Sequence, residues 1–417
     1  MSIELKDEQL QNGVRLITEH NPAIKSASLG LWAKVGSRDE GDGVWGCSHF
    51  IEHLLFKGTE TRTAQEISST IENRGGNLNA FTDRDMTAYH ARVMSDDLVL
   101  AADVLQDMYH KSTLRDNDIE NERQVILEEI KQLEDDPASL IHELYLENIW
   151  RDSQLAHSIA GTAETIQEMS PDMIRGYYAR HYGEELTVVA SGRVDHEKLA
   201  QELERFAEKG LGKPVRNRVK PDHNTGRMFV NRDTGQVQLC IATEGVPYGH
   251  SEMAAQTIVS SYLGLGASSK LFQEVRERRG LVYNIYTHSQ ALEDVGALGV
   301  FAGTRKTNLR EVTQIVLTEL EAVKHGLDPT VLEEVKHKTV GHFILGSESN
   351  RQRMHQLGVS TLRSGKPRTV DEAVAKLNAV TCEDVCRIAE RLFDPNKLSV
   401  TALGVSLEDS QALTGLI

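Results

Sequence analysis

Five consecutive positions, His49-Phe50-Ile51-Glu52-His53, place two imidazoles and a carboxylate in a segment that reads as helix. On a helix, residues i and i+4 lie one above the other on the same face, so His49 and His53 can grip one metal ion. Glu52 points to nearly the same side. Two neutral nitrogen ligands with a carboxylate beside them, able to take a proton from water, are what a zinc hydrolase requires. The order His-x-x-Glu-His inverts the commoner His-Glu-x-x-His zinc helix. The bland alternative is a surface helix with two solvated histidines, and a third ligand and a binding strand are needed to set it aside.

A catalytic zinc site takes three protein ligands and keeps one position open. The acid-rich helix around Asp118 to Ile130 is where the third is expected. Glu122 and Glu129 share a face on a stripe that is expected to include Val125 and Leu133, and a carboxylate on an apolar stripe is costly unless paired or bound. Glu128 falls on the polar side with Gln124 and Lys131, so helical phase favours Glu129 as the ligand.

The elements that must position these groups follow from periodicity. Segments 13–19 and 26–35 alternate apolar and polar residues as strands do, and residues 36–41 form a loop before the zinc helix. A helix from Thr63, its expected cap, to Asn73 ends at Gly75-Gly76. Residues 77–94 read as two strands joined around Asp83-Arg84-Asp85. Helices are expected over 96–108, 116–134 and 137–150, and a strand over 186–192. The second half repeats the plan: strand 236–244, helix 251–263, a glycine loop and helix over 264–279, strands 282–292 and 297–303, then helix 308–325. We read an α+β class chain of two homologous domains, each a mainly antiparallel sheet packed against helices. The expected boundaries are 1–209 for a zinc-binding catalytic domain, 210–227 for a linker rich in Lys, Arg, Pro, Gly and Asn, and 228–417 for a homologous domain without the zinc motif.

Bulk properties narrow the classes. A chain of 417 residues is long for a single core, and 39% hydrophobic with 26% charged residues is the balance of a soluble globular protein. A net charge of −16 argues against nucleic acid as a partner. No apolar run approaches the roughly 20 residues that span a membrane. Four cysteines, Cys47, Cys240, Cys382 and Cys386, are too sparse for a disulfide framework and suit a reducing, cytoplasmic setting. Cys47 reads as core filler, and the pair Cys382 and Cys386 as packing residues.

At this point the chain resembles the pitrilysin-like zinc peptidases, the inverzincins of family M16. The residues that carry the likeness are His49-Phe50-Ile51-Glu52-His53-Leu54-Leu55-Phe56-Lys57-Gly58-Thr59 and Glu122-Arg123-Gln124-Val125-Ile126-Leu127-Glu128-Glu129-Ile130. The likeness is greatest to the branch of the mitochondrial processing peptidase and its bacterial homologues. It implies zinc bound by His49, His53 and Glu129, Glu52 as general base, and Glu122 as a supporting acid. Gly76-Asn77-Leu78-Asn79-Ala80-Phe81-Thr82 resembles the family's edge strand, to which an extended peptide adds as a further strand. Asn79, Ala80 and Phe81 would then touch substrate, and Phe56 and Phe81 would line one pocket, core packing being the bland reading. Arg276-Glu277-Arg278-Arg279-Gly280-Leu281-Val282-Tyr283 resembles the family's Arg/Tyr segment, which implies that Arg276 and Tyr283 contact substrate and stabilise the tetrahedral intermediate. A homodimer is implied, with Arg276 and Tyr283 of one subunit completing the zinc site of the other. Where processing peptidases carry paired acids that favour arginine this chain has Ser139 and Glu143, so one of the two acids is present and the resemblance leaves the arginine preference open.

The expected activity is zinc-dependent endopeptidase hydrolysis of short or unfolded peptides held in extended form. The competing reading is a non-catalytic structural subunit of the same fold, which would ordinarily have lost a ligand or the base. A purely structural zinc site would leave Glu52 and the Arg/Tyr pair without a task.

Overall fold

The structure is a computed structural model that describes residues 3–183, 186–205, 216–414 and 416. The first half runs β1 (Glu4–Gln9), β2 (Arg15–His20), β3 (Ser26–Ala33), α1 (Cys47–Leu54), α2 (Ala64–Glu72), β4 (Asn77–Thr82), β5 (Thr87–Met94), α3 (Leu98–Lys111), α4 (Asp116–Asp135), α5 (Pro137–Ile149), α6 (Ala163–Glu168), α7 (Pro171–His181), β6 (Leu186–Gly192) and α8 (His196–Glu204). The second half runs β7 (Arg227–Val230), β8 (Val237–Gly245), α9 (Met253–Gly264), a π-helical turn (Phe272–Glu277), β9 (Val282–Ala291), β10 (Gly296–Thr304), α10 (Leu309–Val323), α11 (Pro329–Ser347), α12 (Asn350–Ser364), α13 (Val370–Asn378), α14 (Cys382–Leu392), β11 (Ser399–Leu403) and α15 (Leu407–Thr414). Among the described residues no helix is long and apolar enough to cross a membrane.

The expected α+β class with two mainly antiparallel sheets is what the chain forms. One sheet has the order β1-β2-β6-β3-β5-β4, the other β7-β11-β8-β10-β9. The duplication shows in the pairing. In each sheet one pair is parallel, β2 with β6 and β7 with β11, and the pairs that follow are antiparallel in matching order. β4 and β9 are therefore equivalent edge strands.

The expected single cut between domains is corrected by the packing. One compact unit comprises Met1–Lys131, His157–Arg218 and Leu345–Thr369; the other comprises Gln132–Ala156, Val219–Ile344 and Val370–Ile417. The physical reason lies in two exchanged helices. Each central strand is buried on both faces, as β3 and β10 show, so each sheet needs a helix on its second face. In the first unit α12 supplies it: Met354 and Leu357 pack with Ile17, Trp32, Ala88 and Val189. In the second unit α5 supplies it, through Ile141, Tyr145 and Ile149 against Cys240, Ala242, Phe301 and Leu403. Each exchanged helix carries a buried asparagine bonded to the sheet it covers. Asn350 Nδ2 donates to Ser26 Oγ at 3.1 Å and Ser28 Oγ donates to Asn350 Oδ1 at 3.2 Å. Asn148 Nδ2 lies 3.1 Å from the Val400 carbonyl and from Thr401 Oγ1. Glu19 and Arg353 add a buried ion pair to the α12 face, with contacts of 2.7–2.9 Å.

Of the expected linker, residues 210–215 lie outside the described residues. Farther along, Arg218 belongs to the first unit, where it holds both oxygens of Asp39 at 2.8 and 2.6 Å. Arg218 therefore anchors that part of the segment in an ion pair.

Candidate active site

α1 divides its residues by helical phase. Cys47, Phe50, Ile51 and Leu54 are buried and join the core of the first unit. The opposite face presents His49, Glu52 and His53. The start of the helix is fixed by a residue outside it. Glu40 is 2% exposed, and its two carboxylate oxygens accept from the Gly46 and Ser48 N–H groups at 2.7 Å each. These are donors that a helix leaves without partners in its first turn. Gly46 has φ of 92°, and a Cβ there would stand 2.5 Å from the Ala160 carbonyl oxygen, so glycine is needed at this start. Beyond the helix, Asp107 of α3 receives Thr59 Oγ1 at 2.6 Å, Thr61 Oγ1 at 2.8 Å and Arg62 at 2.8 Å. Those contacts pin the segment that follows the zinc motif.

α4 brings the acids. Its buried residues are Ile119, Glu122, Arg123, Ile126 and Ile130. Val125, expected on the buried stripe, is 43% exposed. The stripe runs through Ile119, Ile126 and Ile130, and Glu122 is the acid buried with it. Arg123 sets the position of α4 against α1: its guanidinium carbon lies 5.7 Å from the Phe50 ring centre, and it donates to the Met169 carbonyl at 2.9 Å.

With both helices so placed, one ligand atom each from His49, His53 and Glu129 falls within 4.8 Å of the others. Glu129 Oε2 is 3.7 Å from His49 Nε2 and 3.6 Å from His53 Nε2. Those separations are too long for hydrogen bonds. Two ligand atoms at 2.0–2.1 Å from one tetrahedral ion lie about 3.4 Å apart, so the three groups suit a shared zinc ion. The chemistry of one donor, His49, agrees. Burial, with help from the neighbouring His53, pushes the His49 pKa down to about 4, which keeps its lone pair available at neutral pH. Glu128 is exposed on the other side of α4, so the phase argument for Glu129 corresponds to where the side chains lie.

Glu52 is held by Thr82, the last residue of β4, whose hydroxyl donates to Glu52 Oε2 at 2.6 Å. Burial raises the Glu52 pKa, with Glu129 adding to the rise, while Thr82 and His53 oppose it. Glu122 bridges His53 and Lys57: His53 Nδ1 lies 3.1 Å from Glu122 Oε2, and Lys57 Nζ 2.6 Å from Glu122 Oε1. Burial opposes its charge, yet the donors His53 and Lys57 prevail and hold its pKa below the ordinary carboxylate value.

Among the described residues β4 ends the sheet and pairs only with β5, from Asn77 opposite Arg92 to Thr82 opposite Thr87. Asn79 is exposed on it and Ala80 half-buried. The shared aromatic pocket is corrected by strand geometry. Ala80 and Phe56 pack against the core on the α1 side. Phe81, one residue along, points to the other face and meets Trp32 edge-on at 5.5 Å. Phe56 and Phe81 therefore lie on opposite sides of the sheet, and the half-buried Phe81 packs on Trp32.

In the second unit the π-helical turn brings Arg276 beside Tyr283. The guanidinium carbon is 4.7 Å from the Phe272 ring centre and 5.5 Å from that of Tyr283, which is 72% exposed. Glu274 anchors this turn through Lys270 at 3.1 Å, Arg278 at 2.6 Å and Arg279 at 2.9 Å, donors that bring its pKa down to about 2.

Residue types alone did not single out Thr82, Glu40 or Lys57. Lys57 carried a local signal, standing four residues after His53 on the same helical phase. Thr82 and Glu40 carried none, because each acts on a partner from another element.

Comparison with known proteins places the chain among similar sequences. Residues 15–163 match the family described as Insulinase (Peptidase family M16), and residues 168–339 match its companion described as Peptidase M16 inactive domain. An uncharacterized zinc protease of Streptomyces coelicolor is 37% identical over 97% of this chain and 90% of that protein. One of Bacillus subtilis is 34% identical over 93% of this chain and 96% of that protein. Among solved structures, a protease from Helicobacter pylori superimposes with a TM-score of 0.89 at 20% identity, covering 97% of this chain and all of the other. An M16-like peptidase from Alicyclobacillus acidocaldarius gives a TM-score of 0.84 at 21% identity, with 97% and 98% covered.

Proposed function

Because the chain belongs to the insulinase family of peptidases, family M16, we propose that it is a zinc-dependent endopeptidase acting on short or unfolded peptides in extended form. The observation that carries this reading is the triangle of His49, His53 and Glu129 with Glu52 on the same helical face. Relatives named as zinc proteases support it.

Bound zinc supplies Lewis acidity there, making water more acidic and polarising a carbonyl. The remaining work falls to side chains. Glu52, oriented by Thr82, takes the proton of the attacking water and passes it to the leaving amine. Partial burial of Glu52 suits a base that must hold and release a proton within one cycle. The free edge of β4 receives the peptide by main-chain hydrogen bonds, which are indifferent to its side chains, with Asn79 and Ala80 beside it. A segment already paired in a sheet or packed on a core is not free to pair with β4, so a short or unfolded substrate suits this mode.

Arg276 and Tyr283 enter the reading as donors to the oxyanion. In a homodimer each subunit would lend this pair to its partner's zinc site. Support comes from their stacking on an anchored turn and from the exposure of Tyr283, which a residue used only for packing would not need.

The test is digestion of a mixed library of unstructured peptides by purified protein. Cleavage is expected, with loss on chelation and return on adding zinc, while a tightly folded protein stays intact. Cleavage that is indifferent to chelation would overturn the zinc reading, and no cleavage by zinc-loaded protein would overturn the peptidase reading.

A further inference from the structure

The two histidines of the site are not supported alike. His49 Nδ1 is buried and has no hydrogen-bond partner among the described residues. His53 Nδ1 faces Glu122 Oε2 at 3.1 Å. A histidine ligand is aimed by what its other ring nitrogen touches, so the orientation of this pair rests on Glu122. Glu122 is itself 6% exposed at the side chain and bends toward two partners. The second is Lys57, whose ammonium reaches the other oxygen at 2.6 Å.

Lys57 stands in the turn just after α1, its N–H bonded to the Leu54 carbonyl at 3.0 Å. Side chains near a helix end lean back toward the N-terminus, so Lys57 extends past His53 toward α4. It is the cation that the structure gives to Glu122.

We infer that Lys57 is a positioning residue of the metal site: it pins one Glu122 oxygen so that the other receives Nδ1–H of His53, leaving the Nε2 lone pair directed at the ion. The inference rests on the zinc reading above and adds a residue to it. The relay runs from Lys57 through Glu122 to His53, and no other described residue is hydrogen-bonded or ion-paired to Glu122 through its side chain.

The sign of the effect separates this role from simple electrostatics. As a point charge, Lys57 repels a divalent cation, and removing it would tighten metal binding. As a positioning residue, its removal frees Glu122 and weakens binding. The experiment measures zinc affinity by competition with a chromogenic chelator, for the whole chain, independently of activity. Lys57→Met and Lys57→Gln are both expected to bind zinc about tenfold or more weakly, in the range seen when outer groups of a metal site are lost. Lys57→Arg, which keeps a charged donor, is expected to restore affinity. In a Glu122→Gln background, Lys57→Met is expected to add nothing, because the relay is already cut. Unchanged or tighter binding in Lys57→Met and Lys57→Gln would overturn the inference, as would equal losses in the Arg and Met variants or additive losses in the double variant. A parent chain that binds no zinc would defeat the proposed function itself, whereas a zinc-binding parent matched by its Lys57 variants would defeat this inference alone.

Discussion

Replacing Asp85 by asparagine removes the centre of a buried charge cluster at the tip of the β4–β5 hairpin. Asp85 is 1% exposed. One carboxylate oxygen lies 3.0 Å from Arg38 Nη1 and 3.8 Å from Arg218 Nη1, and the other 3.3 Å from Arg363 Nε. Arg218 also holds Asp39, and Arg363 holds Asp83 at 2.6 Å. The Asp85→Asn variant keeps the size of the side chain but leaves these guanidinium groups one anion short in a place that water does not reach. Breaking one partner of a buried pair costs about 3–5 kcal/mol. In a unit of about 200 residues each kcal/mol moves Tm by about 2–4 °C, so a fall of roughly 6–20 °C is expected by calorimetry or circular dichroism. Adding Arg38→Met should recover much of it, since Arg218 with Asp39 and Arg363 with Asp83 remain balanced. The pH dependence has a definite sign. Burial raises the Asp85 pKa, but Arg363, Arg218 and Arg38 together pull it below the ordinary value. Its stabilisation is therefore present above the unfolded carboxylate pKa of about 4 and is lost as pH falls through the lower folded value, so parent and variant should converge in acid. A Tm change below about 2 °C at neutral pH, well under the expected range, would refute the reasoning.

Thr82→Val removes the hydroxyl donor from Glu52 and should lower kcat roughly tenfold to a hundredfold at unchanged zinc content, the loss expected for one hydrogen bond to a charged group; an unchanged rate would show that Thr82 does not orient the base. Gly358→Ala places a methyl 2.3 Å from Trp32 ring atoms, and overpacking of about 1–3 kcal/mol should appear as a lower Tm of the first unit; an unaltered melting curve would contradict the α12 packing. Mixing Glu52→Gln with Arg276→Ala, each inactive alone, should restore up to about a quarter of parental activity if sites are completed across a twofold dimer and subunits exchange at random. Absence of recovery in a mixture shown by mass spectrometry to contain the mixed dimer would exclude the shared site.

Much of the fold was legible where one local period dominates. Residues 77–94 alternate as two strands do and form β4 and β5, and Thr63 caps α2 as expected, with Glu66 completing a capping box that the structure adds. β1 escaped notice because Glu4–Gln9 is almost wholly polar, an edge strand that pairs with β2. The triangle of His49, His53 and Glu129 was legible through phase on two helices, although Val125 was placed on the wrong side of α4. The helix exchange was not legible. The pattern of α5 marks an apolar face through Ile141, Tyr145 and Ile149, but nothing in that pattern states which sheet it covers. The cluster around Asp85 was equally hidden, because Arg38, Arg218 and Arg363 are brought to it only by the completed fold. The pocket shared by Phe56 and Phe81 failed for a related reason: the likeness that paired them says nothing of the face on which Phe81 meets Trp32.

The central claim is that Glu52 performs the proton transfers while His49, His53 and Glu129 hold the metal. The most direct measurement takes Glu52→Gln and reads zinc content and peptide hydrolysis from the same sample. Zinc is expected to remain at the parental level, and hydrolysis to fall by about 10²–10⁴, the contribution of a general base. Hydrolysis close to the parental rate with zinc bound would contradict the account.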